Sequence, residues 1–253
     1  MLVTALADEN PARYREWVER NRAWVADASC GRVGCLHPPD MMSAGFAEFH
    51  RYFGAECLYG YGCGYECEYE CERDALLVDV RYNRGGHVSQ LLLEKVARKR
   101  IAWCASRWGQ PVRYPHEAPA GAVVALTNEH AGSDGDTFSH CFKLMGFGPL
   151  IGQRTWGRVI GIWPRHKLVD GSETTQPEYS FWLKDVGRAA ENFGTEPDIV
   201  VANLPQDDAF NAPERDKPLT RAVQEALAAA SRLGPPRPDF GPRPRLGGAP
   251  CAR

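Results

Sequence analysis

Ser133 lies in a turn where a serine hydroxyl could attack a carbonyl carbon. An apolar run at 122–126 leads through a polar segment to AGSDG at 131–135, and helical spacing begins directly afterwards. A serine at the start of a helix is next to backbone N–H groups that lack helical partners, and the helix dipole favours negative charge there. A nucleophile and an oxyanion could therefore share this turn.

A second turn of the same kind follows the apolar run at 75–80. It reads RYNRGGH, and its two adjacent glycines let the backbone approach a ligand closely and aim N–H groups outward. A simpler role for Ser133 is a helix N-cap that pairs with Asp136. The turn also differs from the Gly-x-Ser-x-Gly elbow of hydrolases, because Ala131 replaces the first glycine.

The elements that must position these turns alternate between strands and helices. Four apolar runs predict buried strands, at 32–36, 75–80, 122–126 and 150–152. Helical spacing of apolar residues predicts helices around them, at 14–25, 46–53, 92–101, 138–145 and 219–227. Asn10 suits the N-cap of the first helix and Pro11 its first position. This alternation predicts an α/β fold with a largely parallel sheet, and Asp170-Gly171 predicts a hairpin between 160–169 and 174–183.

Composition narrows the class of protein. The chain has 253 residues, 43% of them hydrophobic and 25% charged, and no apolar stretch reaches the ~18 residues that span a bilayer. A net charge of -2 gives no basic field for nucleic-acid phosphates. We therefore expect a soluble protein that binds neither membranes nor nucleic acid. The first ten residues lack a signal-peptide pattern, which predicts a cytoplasmic location.

Nine cysteines, an odd number, fit reduced thiols better than a disulfide framework. Four of them cluster in a low-complexity segment: Cys57, Cys63, Cys67 and Cys71. Four thiols could bind zinc, but their spacing does not match the paired knuckles of structural zinc sites. We therefore assign no metal and interpret 57–72 as a surface insertion. No organic cofactor is expected either.

Six stretches of the chain together resemble the carboxy-terminal catalytic part of the tricorn proteases, relatives of the carboxy-terminal processing peptidases. They are RYREWVERNR, DVRYNRGGHVSQLLLEK, TNEHAGSDGDTFSH, IGQRTWGRVIGIWPRHKLVDG, TTQPEYSFW and ENFGTEPDI. Apart from the cysteine-rich insertion, the resemblance covers the chain from about residue 6 to residue 228. It implies a crotonase-like or ClpP-like α/β core with a mainly parallel sheet, a β-hairpin excursion and a C-terminal helix.

The resemblance implies roles for four residues. Ser133 would be the nucleophile, the backbone N–H groups of Gly86 and Asp134 would form the oxyanion hole, and Glu191 would belong to the charge relay. Without the resemblance, Glu191 would be interpreted as an ordinary solvated carboxylate. The implied activity is hydrolysis of oligopeptides through an acyl-enzyme on Ser133, in a protein that forms homo-oligomers.

The general base implied by the resemblance is missing from this sequence. Relatives supply a Ser-His pair from a region that precedes a PDZ domain, and here residues 1–9 resemble only the end of that domain. His140 lies seven residues after Ser133, roughly 10 Å along a helix, which is too far. His130 would need an unusual turn to reach the serine. His37 and His87 lie near strand ends and remain alternatives, although structural roles are commoner for such histidines.

Three residues depart from the pattern of the relatives. Arg84 and Arg158 stand where glycine is common, and each could bind a substrate carboxylate or obstruct the cleft. Cys104 stands where relatives have an acidic residue that recognises basic side chains. Because the resemblance places both positions beside the substrate, Arg84 and Cys104 are candidate substrate-binding residues. As thiols, Cys104 and Cys141 are better interpreted as packing residues than as nucleophiles.

The sequence therefore predicts a peptidase core at 10–233, between the PDZ remnant at 1–9 and a Pro/Gly-rich tail at 234–253. We expect the isolated chain to be a fragment without its base, and inactive or nearly so. The alternative is a non-catalytic peptide-binding or assembly subunit that keeps the peptidase core.

Overall fold

A parallel sheet with helices on both faces forms the centre of the chain. The computed structural model describes residues 7–58, 73–109, 111–163, 166–233 and 238–242. The predicted insertion beyond Leu58, the first six residues and most of the predicted tail lie outside these ranges. None of the helices within them is long and apolar enough to span a bilayer.

The main sheet has five strands, which lie side by side in the order in which they occur in the chain. They are β1 (Val33–Leu36), β2 (Ala75–Asp79), β5 (Ala122–Thr127), β6 (Leu150–Gly152) and β9 (Ile199–Val200). Every neighbouring pair is parallel. The first four strands are buried along their whole length, as continuous apolar runs in a parallel sheet should be. The predicted α/β fold with a mainly parallel sheet is confirmed.

Five α-helices cover the two faces of this sheet. One face packs against α2 (Ser43–Leu58), α3 (Ser89–Val96) and α4 (Asp134–Leu144). The opposite face packs against α1 (Asn10–Ala28) and α5 (Lys217–Leu233). Side chains of β2 and β5 alternate between the two cores, because successive strand residues point to opposite faces of a sheet. Two 3₁₀ turns, Pro205–Asp207 and Pro213–Arg215, precede α5.

Within the described ranges, two antiparallel hairpins lie outside the main sheet. The predicted one is confirmed: β7 (Gly161–Ile162) pairs with β8 (Pro177–Tyr179), and the turn contains Gly171 in a left-handed conformation at φ 82°. Its paired strands are much shorter than predicted. The other hairpin joins β3 (Ala102–Cys104) to β4 (Val112–Tyr114) and was not predicted.

Several local predictions differ from the structure. The helix predicted over 92–101 ends at Val96, and Ile101 is 71% exposed beside β3. Glu9, rather than Asn10, is the N-cap of α1. Cys57 belongs to the end of α2 and is buried in the core, not in a surface insertion.

Candidate active site

Two turns meet at the carboxyl end of the sheet, one after β2 and one after β5. Asn83, fully buried in the first turn, joins them. Its carbonyl accepts the Gly132 N–H at 3.0 Å, and its side-chain oxygen accepts the Gly85 N–H at 2.9 Å. Its amide donates to the Pro38 carbonyl, 2.9 Å away. Asn83 therefore fixes the glycine turn and the serine turn relative to each other.

Ser133 has a backbone conformation that serine rarely adopts. Its φ is 56° and its ψ is -119°, and its side chain makes no capping hydrogen bond to α4. Ser133 therefore occupies the N-cap position of α4, as the simpler interpretation predicted, and its backbone N–H interacts with Asp136, but its hydroxyl caps no N–H group of the helix. A left-handed serine costs about 1–3 kcal/mol and persists only where its surroundings impose it. Such strain is common at functional sites.

Gly85 lies directly against Ser133. A Cβ atom on Gly85 would be 2.5 Å from the Ser133 Cβ and 2.9 Å from the Asp134 nitrogen. Only glycine fits here, because its φ of 87° also excludes ordinary side chains. Within the described part of the chain, the N–H groups of Gly86 and Asp134 donate to no protein acceptor. The two predicted oxyanion donors thus lie free on neighbouring turns beside Ser133.

The side chain of Asp134 connects the serine turn to α3. It is buried, and its carboxylate accepts the Ser89 N–H at 2.9 Å and the Ser89 hydroxyl. Ser89 is the first residue of α3, where unpaired N–H groups favour a carboxylate. The side chain of Asp134 therefore holds its own backbone N–H in place.

Asp136 is a site residue that sequence reasoning named only as a capping partner. It is fully buried, and its carboxylate accepts the N–H of Gly157 at 2.9 Å and of Arg158 at 3.2 Å. The Thr155 hydroxyl and the Ser133 N–H also interact with it. Burial raises the pKa of this carboxyl, although these hydrogen bonds oppose the shift. Asp136 thus connects the serine turn to residues 155–158.

Glu191 binds the next residues of that same segment. Its Oε2 atom accepts the N–H of Val159 at 2.8 Å and of Ile160 at 2.7 Å. Glu191 is half-buried. Among the residues that the structure describes, no side-chain hydrogen bond joins it to Ser133, so the connection passes through the 157–160 backbone and Asp136. Its relay role stays a prediction.

The histidines near the site are engaged elsewhere or lie at its rim. His37 is buried and bonded to the Tyr14 hydroxyl. His140 interacts with Thr195 and Asp185, as expected for a residue too far from Ser133. The remaining two are exposed and rest on aromatic rings, His130 on Tyr82 and His87 on Trp163. No histidine within the described ranges is hydrogen bonded to Ser133.

The three departures from the resemblance lie at different places. Arg84 lies within the glycine turn, Arg158 lies in the 155–158 segment that Asp136 binds, and both are exposed. Cys104 is exposed on β3, so its interpretation as a packing residue is wrong. Cys141 contacts two apolar clusters, as a packing residue should.

A strained serine at a strand-to-helix turn, next to two free N–H groups, is the arrangement of a serine-type hydrolase. The sequence profile of "Peptidase family S41" matches residues 68–201. The chain belongs to this peptidase family.

Two curated relatives and one crystal structure illustrate the similarity. "Tricorn protease homolog 1" of Streptomyces coelicolor is 47% identical over 228 residues, 90% of this chain and 20% of that protein. "Tricorn protease" of Thermoplasma acidophilum is 44% identical over 207 residues, 82% of this chain and 18% of that protein. The crystal structure of the tricorn protease superposes with a TM-score of 0.79 and 41% identity, covering 92% of this chain and 21% of that chain. This chain spans about a fifth of the length of the curated relatives that it matches.

Proposed function

We propose that this chain carries the nucleophile and the oxyanion hole of a peptidase that cleaves oligopeptides through an acyl-enzyme on Ser133. The observation that carries the proposal is the strained Ser133, whose hydroxyl caps no helix, beside the free N–H groups of Gly86 and Asp134. Attack by the Ser133 oxygen on a peptide carbonyl would form a tetrahedral oxyanion that the two N–H groups stabilise. The amine leaves with the proton that the general base took from Ser133, and a water molecule deprotonated by the same base then hydrolyses the acyl-enzyme and restores the Ser133 hydroxyl.

The general base is proposed to be a histidine from outside this sequence. Serine is a weak nucleophile without a base, and each described histidine near the site has another partner or lies at its rim. We therefore propose that the isolated chain is inactive or nearly so. Glu191 would then act beyond the histidine in the relay.

Chemical rescue tests this function without the missing base. The folded chain is treated with a fluorophosphonate, with and without added imidazole, and the adduct is located by mass spectrometry. We expect slow or no labelling alone and faster labelling of Ser133 with imidazole, because free imidazole can accept the serine proton. Ser133→Ala is the control. An adduct on another residue, or none with imidazole in a folded chain, would contradict the proposal.

A second candidate function is a peptide-binding or assembly subunit without catalysis. The absence of a histidine bonded to Ser133 within the described ranges favours it, and so do the exposed arginines at the site. Peptide binding without any rescued labelling would select this candidate. Self-association and a cytoplasmic location stay predictions.

A further inference from the structure

Two exposed arginines border the serine turn. The first, Arg84, belongs to the glycine turn. Arg84 directly precedes Gly85, whose Cβ position lies 2.5 Å from the Ser133 Cβ. Adjacent Cα atoms are about 3.8 Å apart, so the Cα atom of Arg84 is one residue from the place where Gly85 touches Ser133. Its side chain is exposed, and within the described part of the chain it forms no ion pair.

The second arginine is anchored on the other side of the turn. The Arg158 N–H donates to the Asp136 carboxylate at 3.2 Å, and its guanidinium carbon lies 4.5 Å from the centre of the Trp156 ring. That ring packs against the serine turn, since a Cβ on Gly132 would lie 2.5 Å from it. An arginine that stacks its face on an indole keeps its N–H edges available for a carboxylate.

Among the described residues, the acidic side chains nearest the serine turn form no ion pair with either arginine. The carboxylates of Asp134 and Asp136 are buried and bonded to α3 and to the 157–158 backbone. Glu191 accepts two backbone N–H groups. Glu129, two residues after the end of β5, lies 3.8 Å from a ring nitrogen of His130. None of these forms an ion pair with Arg84 or Arg158, so among the described residues the rim beside Ser133 has two arginines without an ion pair.

We propose that this site selects peptides with a carboxylate close to the bond that faces Ser133, and that Arg84 and Arg158 bind this carboxylate. The inference rests on the proposed function, because it takes the space beside Ser133 as the peptide site. The carboxylate is that of an Asp or Glu side chain or of the peptide's C-terminus. Guanidinium groups bind both in the same bidentate way.

The expected size of the preference is modest, because the arginines are exposed. An exposed ion pair changes affinity by roughly fivefold at most, so two arginines together give a preference of about tenfold. The preference decreases as salt is added, since ions screen exposed charges.

Binding measurements on the Ser133→Ala chain test the proposal without requiring catalysis. Fluorescent peptides of equal length carry Asp, Asn or Lys at the centre, each with a free or an amidated C-terminus, and anisotropy gives the dissociation constants. Arg84→Gln and Arg158→Gln are compared singly and together. Arg232→Gln is the matched control, because Arg232 is exposed in the last turn of α5, on the opposite face of the sheet.

We expect a carboxylate-bearing peptide to bind tightest, each site variant to lose several-fold of that preference, and Arg232→Gln to keep it. A preference that follows the central residue identifies a side-chain carboxylate, and one that follows the free C-terminus identifies the chain end. Equal or tighter binding of the Lys peptides, no binding of any peptide, or a preference that survives in the double variant would overturn the proposal. A chain that prefers acidic peptides but shows no rescued labelling would keep the anion site and reject the catalytic function.

Discussion

The two turns at the end of the parallel sheet differ sharply from the two hairpins. In the turns, buried Asn83 and Asp136 bind backbone N–H groups, and Gly85 touches Ser133. In the hairpins, β3 and β8 have mostly exposed side chains, and the Gly171 turn has open space around it. The comparison teaches that buried hydrogen bonds fix the backbone around Ser133 within this chain, whereas the hairpins have few such constraints and should tolerate change.

The largest effect is expected from adding one methyl group to each region. Gly85→Ala and Gly171→Ala both place alanine at a similar φ, 87° and 82°, but only Gly85 has neighbours within 4 Å of the new Cβ. Gly85→Ala should lower the free energy of unfolding by about 3 kcal/mol or more, and Gly171→Ala by about 1 kcal/mol. Urea unfolding measures both. Equal losses would show that the serine turn is not tightly packed.

A smaller effect is expected from removing one aspartate in each region. Asp136→Ala leaves the buried N–H group of Gly157 and the part-buried N–H group of Arg158 unpaired, which should cost about 2–3 kcal/mol and slow imidazole-rescued labelling of Ser133. Asp170→Ala removes bonds to Ser172 in the exposed hairpin turn, and its stability should equal that of the parent within error. Thermal unfolding and labelling rates test both. An Asp136→Ala chain that is labelled at the parental rate would separate this carboxylate from the nucleophile.

The smallest expected effect concerns the native chain without any substitution, in which the alkylation rates of two thiols are compared. Burial raises the pKa of Cys57 to about 12, so at pH 8 about one in 10,000 of these thiols is ionised. Cys104 is exposed on β3. Iodoacetamide should therefore modify Cys104 in the native chain and Cys57 only after unfolding, as measured by peptide mass spectrometry. Early modification of Cys57 would place the end of α2 outside the core.

The sheet was predictable because its strands are continuous apolar runs bounded by turn residues. The runs at 75–80 and 122–126 became β2 and β5 almost without change, and both turns of the candidate site follow them. The β3–β4 hairpin was missed because Ile101 continued the helical spacing of α3, although it is exposed. Whether Ile101 continues α3 or precedes β3 depends on tertiary packing, and a local sequence pattern does not contain that information.

The site was predictable only in part. A serine before a helix predicted either a nucleophile or a cap, whereas the uncapped hydroxyl of Ser133, its positive φ and its contact with Gly85 of another turn are visible only in the structure. Asn83 was hidden within RYNRGG, since a turn asparagine usually bonds only its own neighbours. Asp136 was predicted only as a capping partner in the first turn of α4. The N–H groups that it accepts, those of Gly157 and Arg158, lie more than twenty positions away in the sequence.

The position of α5 at the end of the described core affects how the protein folds during its synthesis. Its Ala222, Val223 and Ala226 cover the sheet face formed by β2 and β5, and Asp216, at its start, holds Arg81 at 2.7 Å. Both strands leave the ribosome long before this helix does. A nascent chain therefore carries its serine turn while α1 alone covers that face, and the apolar area that α5 buries stays exposed to aggregation until the helix has emerged.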